Sequence, residues 1–324
     1  MVRPAPSPEF ALIARYFTRP AKCALLGVGD DCALVRSGDE ALAITTDMLV
    51  AGTHFLPDTD PHALGHKALA VNLSDLAAMG AEPAWFTLAL ALPGIDDDWL
   101  RPFADGLLAL ADAHGIELVG GDTTRGPLTI SVTAAGAVPL GEALRRDGAV
   151  AGDDVWVSGS TGDAALALAH LQQRVVLDAA DAAACLERLH RPQPRVALGR
   201  ALRGVAAGAA DVSDGLLADI GHILERSQCG ADIEFERLPR SAALRACADQ
   251  ALAAACLVGG GDDYELVFTA PPERRAAVEA AGEAAGVPVT RIGRIVDGEP
   301  VARLLDARGA PMRVERPGFD HFVG

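Results

Sequence analysis

Apolar residues recur at the helical period in two long segments of the first half of the chain. One segment begins at Asp60 and Pro61, a cap residue followed by proline, and stops at Gly80. The other keeps the same period over residues 100–107 and stops at Gly115. The pattern therefore predicts two long helices in this half of the chain.

Short apolar or alternating segments lie between the predicted helices and indicate strands. They lie within residues 25–35, with a turn between two short strands, and at 41–46, 116–119, 128–132, 155–158, 264–269, 289–296 and 301–305. Further helices are predicted at the N-terminus, where Ser7 and Pro8 form a cap and first-turn pair, and over 214–228 and 272–285. This mixture of elements is typical of an α/β (α+β) protein.

A charged, glycine-containing segment between residues 144 and 154 interrupts the pattern, and a new order of strand, turn and helix begins after it. The length of 324 residues is enough for two domains, each with its own core. We therefore predict two lobes, an N-terminal domain over 1–148 and a C-terminal domain over 149–324.

The net charge narrows the classes of ligand. It is −16, and a nucleic-acid groove needs a basic stripe, so we expect no nucleic acid and no anionic membrane as partner. An acidic protein still binds polyphosphates when divalent cations lie between the two negative partners. Metal-bound phosphates are therefore compatible with this charge.

The six cysteines show neither a C-x-x-C pair nor a paired spacing, so the sequence indicates no zinc site and no disulfide framework. No apolar stretch reaches the roughly 20 residues that span a bilayer, and the first ten residues lack the apolar core of a secretion signal. We expect a cytoplasmic protein without a membrane segment.

Aspartates stand in glycine- and threonine-rich motifs along the whole chain. The six motifs are Gly29-Asp30-Asp31, Thr45-Thr46-Asp47, Asn72-Leu73-Ser74-Asp75, Gly120-Gly121-Asp122, Asp211-Val212-Ser213-Asp214 and Gly260-Gly261-Asp262-Asp263. Mg²⁺ takes hard oxygen ligands, usually one or two carboxylates completed by water and substrate phosphates. Neighbouring glycines let backbone N–H groups approach a phosphate. Together, the motifs predict a site for Mg²⁺ and polyphosphate, with the first two motifs at strand ends.

Each motif alone has an ordinary structural explanation, because aspartate beside glycine is common in turns and helix caps. Asp75 differs, since it lies inside an apolar helical segment where an unpaired buried carboxylate is costly. His54 and the Arg145-Arg146 pair could contact a phosphate. More simply, His54 is an ordinary surface or core histidine, and the two arginines are solvated in a polar linker. The chain has no P-loop, no EF-hand calcium loop and no residue pattern of a covalent nucleophile.

Taken in order, the motifs closely resemble the thiamine-monophosphate kinase family from about Phe10 to Phe322. The matching segments are 27–33, 45–47 with 54–55, 67–80, 120–126, 211–216 and 260–266. The resemblance implies a two-lobed fold of the aminoimidazole ribonucleotide synthetase-like superfamily. It also implies a homodimer in which N-terminal strands of both copies form a central barrel.

The resemblance assigns roles residue by residue. It implies that Mg²⁺ is bound by Asp30, Thr45, Thr46, Asp47, Asp75, Asp122, Asp211 and Asp214. It implies that ATP contacts Gly121, Asp122, Arg146 and Ser213, and that thiamine monophosphate contacts His54, Asp262 and Phe319. The family commonly has glutamate at position 262 and Tyr or Trp at 319. The shorter Asp262 would then reach the substrate through water, whereas Phe319 keeps an aromatic face for the cationic thiazolium ring.

The implied reaction is direct in-line transfer of the γ-phosphate of ATP to thiamine monophosphate, giving thiamine diphosphate and ADP, with several Mg²⁺ ions. No general base is required, because the acceptor phosphate is already ionised at neutral pH. The alternatives within the superfamily are a selenophosphate synthetase-like enzyme and a cyclase acting on a purine precursor. A non-catalytic Ca²⁺-binding module would be an alternative of a different class.

Overall fold

Two six-stranded sheets organise the chain in a computed structural model that describes residues 8–18 and 20–320. Residues 24–139 contain the first sheet, and residues 154–305 contain the second. The predicted boundary between residues 148 and 149 lies in the connection between them.

The strands are β1 (Ala24–Leu26), β2 (Ala33–Ser37), β3 (Glu40–Val50), β4 (Glu82–Leu92), β5 (Glu117–Arg125), β6 (Thr129–Pro139), β7 (Asp154–Ser158), β8 (Gly208–Val212), β9 (Gly230–Glu234), β10 (Glu265–Ala270), β11 (Val289–Val296) and β12 (Ala302–Leu305). The α-helices are α1 (Pro8–Tyr16), α2 (Pro61–Ala78), α3 (Asp97–His114), α4 (Asp163–Leu171), α5 (Ala179–His190), α6 (Val196–Ala201), α7 (Leu216–Ser227), α8 (Ala242–Ala246), α9 (Gln250–Gly259) and α10 (Arg275–Ala285). Two short 3-10 helices lie at Phe235–Arg237 and Pro272–Arg274.

The first sheet has the strand order β1-β2-β3-β6-β4-β5, and only the β4 and β5 pair is parallel. Strand β3 alternates in burial: Ala41, Ala43 and Thr45 are buried, whereas Leu42 and Ile44 between them are partly exposed. Because α2 packs on β3 and β6, one face of this sheet is covered. The opposite face remains open in the single chain.

The second sheet has the order β12-β9-β11-β7-β10-β8, with β12 and β9 parallel and the other pairs antiparallel. Every residue of β7, β8 and β10 is buried. Burial on both faces explains why these strands are mostly apolar rather than alternating, with the buried carboxylates Asp154, Asp211 and Glu265 at or next to strand ends.

Helix α2 packs between the two lobes. It contacts α3, β3 and β6 on the N-terminal side and α6, β8 and β10 on the C-terminal side, so most of its residues are buried. It crosses α3 at a glycine on each helix. A Cβ on Gly65 would meet the Phe103 carbonyl oxygen at 2.0 Å, and a Cβ on Gly106 would meet that of His62 at 1.9 Å. The two helices therefore approach each other at backbone distance.

The structure confirms the long helices α2 and α3, with Asp60 as N-cap of α2 and Gly115 in the left-handed region after α3. Each predicted strand has a counterpart. The predicted cap Ser7 lies outside the described residues. Two placements were wrong: Asp47 and the Gly120 to Asp122 motif lie inside β3 and β5, because both strands extend further than their apolar residues indicate.

Strands β4, β8 and β9 were not predicted. Among the described residues, no helix is both long and apolar enough to cross a membrane.

Candidate active site

A cleft of about 460 Å³ opens where β3, α2 and the segment after β8 meet the segment before β10. It is lined by residues of both lobes, including Thr46, Asp47, His54, Asp75, Asp211, Ser213, Asp214, Asp262, Tyr264 and Phe319. The cleft therefore gathers residues from four of the six aspartate motifs.

Helix α2 carries the central part of this site in its last turns. The Thr45 hydroxyl donates a short hydrogen bond to Oδ2 of Asp75. The adjacent Ser74 hydroxyl donates to Oδ2 of Asp211 at 2.7 Å, which joins α2 to the end of β8 in the other lobe. Through Ser74 and Asp75, helix α2 thus brings a carboxylate of the C-terminal lobe next to one of the N-terminal lobe.

Three carboxylates converge beside this contact. Single oxygens of Asp31, Asp75 and Asp211 all lie within 4.8 Å of one another. The Arg146 guanidinium holds Asp31 in place with two hydrogen bonds, the one from Nε to Oδ2 being 3.2 Å long. These are hard oxygen donors at the mutual distances that a divalent cation bridges.

The preceding residue, Asp30, has a different environment. Its carboxylate accepts the backbone N–H of Asp31 and that of Arg146, each at 3.1 Å. Asp30 therefore closes the turn, whereas Asp31 is the residue of this motif that joins Asp75 and Asp211.

Burial and mutual repulsion disfavour the charged form of these carboxylates. Burial raises the pKa of Asp30 and of Asp47 to about 6, and the neighbouring charge of Asp31 contributes to both shifts. The pKa values of Asp75 and Asp211 are raised well above the usual range, first by burial and then by nearby aspartates. A divalent cation would remove this penalty, so the residues present fit Mg²⁺.

Asp219 fixes the segment that follows β8. One of its oxygens, Oδ2, accepts the backbone N–H groups of residues 213, 214 and 215 at 3.0–3.1 Å. Asp214, Asp219 and His222 also place ligand atoms within 4.8 Å of one another. Ser213 and Asp214 therefore enter the cleft on a backbone held by a buried carboxylate.

The cleft also holds the residues predicted to contact the acceptor. His54 Nδ1 accepts the Val50 backbone N–H at 3.0 Å, so the neutral imidazole carries its proton on Nε2. Asp262 forms an ion pair of 2.9 Å with Lys67. Phe319 is 53% exposed, and its backbone N–H donates to the Asp214 carbonyl oxygen.

Asp122 lies apart from the other carboxylates. It stands in β5, the edge strand, and its register runs through Ala89 and Ser131 to Met48 of β3. Three strand spacings of about 4.8 Å separate β5 from β3. Gly121 lies beside it, and all of β5 is exposed. Within one chain, the structure therefore does not bring these two residues to the cleft.

The remaining predicted contacts lie at the cleft or directly behind it. Thr46 lines the cleft, and its hydroxyl is 2.8 Å from that of Thr133 on β6. Arg146 lies behind the carboxylates through its bonds to Asp31.

Sequence reasoning missed four residues that shape the site: Asp31, Lys67, Asp219 and Tyr264. Asp31 lies in the first aspartate motif and Tyr264 directly follows the last one, but the direction of each side chain depends on the tertiary structure, which a motif does not encode. Lys67 is a buried charge inside an apolar helix, which is the same signal that identified Asp75. The sequence itself carries that signal.

Comparison with known proteins agrees with this architecture. Residues 29–138 match the family described as AIR synthase related protein, N-terminal domain, and residues 150–305 match the corresponding C-terminal domain. Thiamine-monophosphate kinase of Escherichia coli strain K12 is 50% identical over 321 residues, covering 97% of this chain and 98% of that protein.

Solved structures show the same similarity. Thiamine-monophosphate kinase from Stenotrophomonas maltophilia K279a has a TM-score of 0.80 at 50% identity, covering 94% of this chain and 98% of that one. AaThiL, solved in complex with AMPPCP and TMP, has a TM-score of 0.80 at 32% identity and covers 93% of each chain. The chain therefore belongs to the thiamine-monophosphate kinase family and has the AIR synthase related fold.

Proposed function

We propose that this protein transfers the γ-phosphate of ATP to thiamine monophosphate in a Mg²⁺-dependent reaction that gives thiamine diphosphate and ADP. The observation that carries the proposal is the convergence of buried carboxylates from both lobes on a cleft that also contains His54 and Asp262. The relative AaThiL was solved with AMPPCP and TMP, a donor analogue and an acceptor that fit this assignment.

Asp31, Asp75 and Asp211 would hold metal together with Asp47 and Asp214, and the Thr45 and Thr46 hydroxyls would support them. Asp30, assigned to metal by the family resemblance, would act instead through the turn that presents Asp31. Bound Mg²⁺ supplies positive charge that neutralises the phosphate oxygens of donor and acceptor. The chain's own carboxylates and hydroxyls would hold these ions in place.

The acceptor side has three residues with distinct tasks. His54 would donate from Nε2 to a phosphate oxygen, and Asp262 would accept from the substrate. Phe319 would offer its ring to the cationic thiazolium by cation–π attraction. An ionised acceptor phosphate needs no proton removed, so no residue is assigned as general base. Transfer would be direct, and a labelled phosphoenzyme formed from γ-labelled ATP alone would contradict this mechanism.

The nucleotide would meet Arg146, Ser213, Gly121 and Asp122, and the last two imply a homodimer. Strand β5 is exposed throughout, with Leu118 at 45% and Val119 at 58% exposure. The open face of the first sheet adds Met48 at 56% exposure. An apolar sheet face of this kind favours burial against a second copy. We propose that Asp122 of one copy thereby reaches the cleft of the other.

The deciding experiment is an ADP-release assay that compares thiamine monophosphate with thiamine, each with and without Mg²⁺. We expect ADP and thiamine diphosphate in equal amounts only with thiamine monophosphate and Mg²⁺. A purine-precursor cyclase or a selenophosphate synthetase-like enzyme would form no thiamine diphosphate, and a Ca²⁺-binding module would bind metal without turnover.

The cytoplasm is the proposed location of this reaction. All six cysteines are free, and five of them are buried, as expected for a protein of a reducing compartment.

A further inference from the structure

Lys67 is a buried cation on the helix that separates the lobes. It stands on α2, is only 3% exposed, and directs its ammonium across the lobe boundary to Asp262. Its Nζ lies 2.9 Å from Asp262 Oδ1. A buried lysine is rare unless it is paired, so the ion pair determines where both side chains lie.

A second donor reaches the same oxygen. The Tyr264 hydroxyl donates to Asp262 Oδ1 at 3.0 Å. Because Oδ1 is used twice, Oδ2 is the oxygen left for a ligand, and the described residues offer it no hydrogen bond. Asp262 lines the cleft and is 32% exposed, whereas Lys67 is not among the residues lining the cleft.

The backbone here is held in an unusual conformation. Asp262 has φ of 69° and Tyr264 has φ of 52°, and both values lie in the left-handed region that non-glycine residues rarely adopt. Their N–H groups donate to the carbonyl oxygens of Ser213 and Val212 at 2.8 Å. Such backbone strain persists only where surrounding contacts enforce it.

We propose that Lys67 is a positioning residue for the acceptor substrate. Together with Tyr264 it fixes the direction of the Asp262 carboxylate, so that Oδ2 meets a donor group of the substrate in the cleft. Lys67 acts through Asp262 and does not touch the substrate itself. This inference rests on the proposed function, because it names how one substrate contact of that function is set.

The test replaces Lys67 by methionine, which has similar length and no charge. Asp262 is partly exposed and can be solvated, so K67M should fold. We expect the KM for thiamine monophosphate to rise about tenfold, the KM for ATP to change less than twofold, and kcat to stay within about threefold. The exposed Lys22 gives the matched control, and K22M should change none of these values.

A double-mutant cycle separates positioning from general destabilisation. If Lys67 acts only through Asp262, the variant K67M/D262N should show the same KM for thiamine monophosphate as D262N. The double variant also avoids leaving the buried lysine unpaired. Additive increases in KM would contradict the proposal, as would an equal rise in the KM for ATP.

Hydrogen exchange tests the positioning role without a measurement of turnover, so the test remains valid if the proposed function is wrong. In K67M without substrates, the Asp262 and Tyr264 amides should exchange hydrogen at least tenfold faster than in the wild type, whereas amides in β7 should be unchanged. Unchanged exchange at both amides would overturn the positioning role. If K67M shows this faster exchange but the wild-type protein forms no thiamine diphosphate, the positioning role stands and only the proposed function is refuted.

Discussion

The two sheets of this protein differ in how they complete their cores. Strands β7, β8 and β10 of the C-terminal sheet are buried along their whole length by elements of the same chain. In the N-terminal sheet, β3 buries alternate residues only, and β5 is exposed from end to end. The C-terminal sheet is therefore covered within the single chain, whereas the N-terminal sheet leaves exposed the face that we propose is buried against a second copy.

The difference also separates two kinds of buried carboxylate. Glu265 in the C-terminal sheet is fully buried, and burial favours its neutral form, yet hydrogen bonds and charge from Arg195 and Arg188 lower its pKa overall. At the cleft, no cation offsets the burial of Asp75, and the charge of Arg146 only partly offsets burial and neighbouring aspartates at Asp211, so the pKa values of both carboxyls are raised. The charge of Glu265 is thus compensated within the fold, whereas carboxylates with raised pKa values that line a cleft are candidates for a functional site.

The largest expected effect comes from neutralising either of two carboxylates of the first sheet, one in β3 and one in β5. Asp47→Asn and Asp122→Asn should each lower kcat about 10³-fold or more, because an amide binds Mg²⁺ poorly and the phosphate charge is then less well neutralised. Circular dichroism should show both variants folded. Near-parental turnover in either variant would contradict the assignment of that residue.

A charge on the open sheet face should disrupt the assembly. Met48→Glu should yield a monomer with at least a tenfold loss of activity, since a desolvated carboxylate at an interface costs several kcal/mol. Light scattering gives the oligomeric state. The matched control is Val176→Glu, at a position 87% exposed in the C-terminal lobe, which should remain dimeric and active.

Mixing two inactive proteins should restore part of the activity. If Asp122 serves the cleft of the other copy, half of the dimers reassembled from Asp47→Asn and Asp122→Asn chains have one intact site of two. About a quarter of wild-type activity should then return. No recovery after verified exchange of subunits would show that Asp122 acts within its own chain or not at all.

The smallest effect is a pH dependence of stability in metal-free protein. Folding raises the pKa of Asp47 from 3.8 to about 6, so the folded chain retains a proton that the unfolded chain has released. The free energy of unfolding therefore falls as pH rises from about 4 to about 6. In EDTA, Tm should be a few degrees lower at pH 7.5 than at pH 5.5, and Mg²⁺ should reverse this.

The same titration distinguishes the carboxylates of the cleft from Glu265 in the C-terminal sheet. Asp47→Asn should reduce the slope of the metal-free profile between pH 4 and 6, and Asp30, whose pKa is also raised to about 6, should account for part of the slope that remains. Glu265 works in the opposite direction, because its pKa is lowered, so its stabilisation is present above its unfolded pKa and is lost as pH falls. A profile that keeps its slope in Asp47→Asn would assign the effect to other groups.

Local signals in the sequence were enough for much of the fold. Helix α2 was predicted because its cap, proline and apolar period all lie within one segment. Strand β4 was missed because a run of leucine and alanine fits a helix and a buried strand equally well. The length of β3 was underestimated because its last residues are held by pairing with β6, some 80 positions away along the chain.

The sequence predicted which residues form the site more fully than it predicted how they are arranged. Asp30 and Asp31 are identical neighbours, and only the hydrogen bonds from Arg146, more than a hundred residues away, decide which one turns toward Asp75. The proposed role of Asp122 depends on a second copy of the chain. Both questions turn on contacts distant in sequence, which a motif cannot encode.

The glycine crossing of α2 and α3 bears on the kinetics of metal entry. With backbones in contact at Gly65 and Gly106, α2 has little freedom to slide or rotate, so Ser74 and Asp75 occupy their places before any ion arrives. The Mg²⁺ ion that we propose would then meet ligands already in place, and its association should be limited by ion dehydration rather than by a conformational step. A methyl group at position 65 would meet the backbone of α3, so Gly65→Ala should lower the free energy of unfolding and loosen this arrangement.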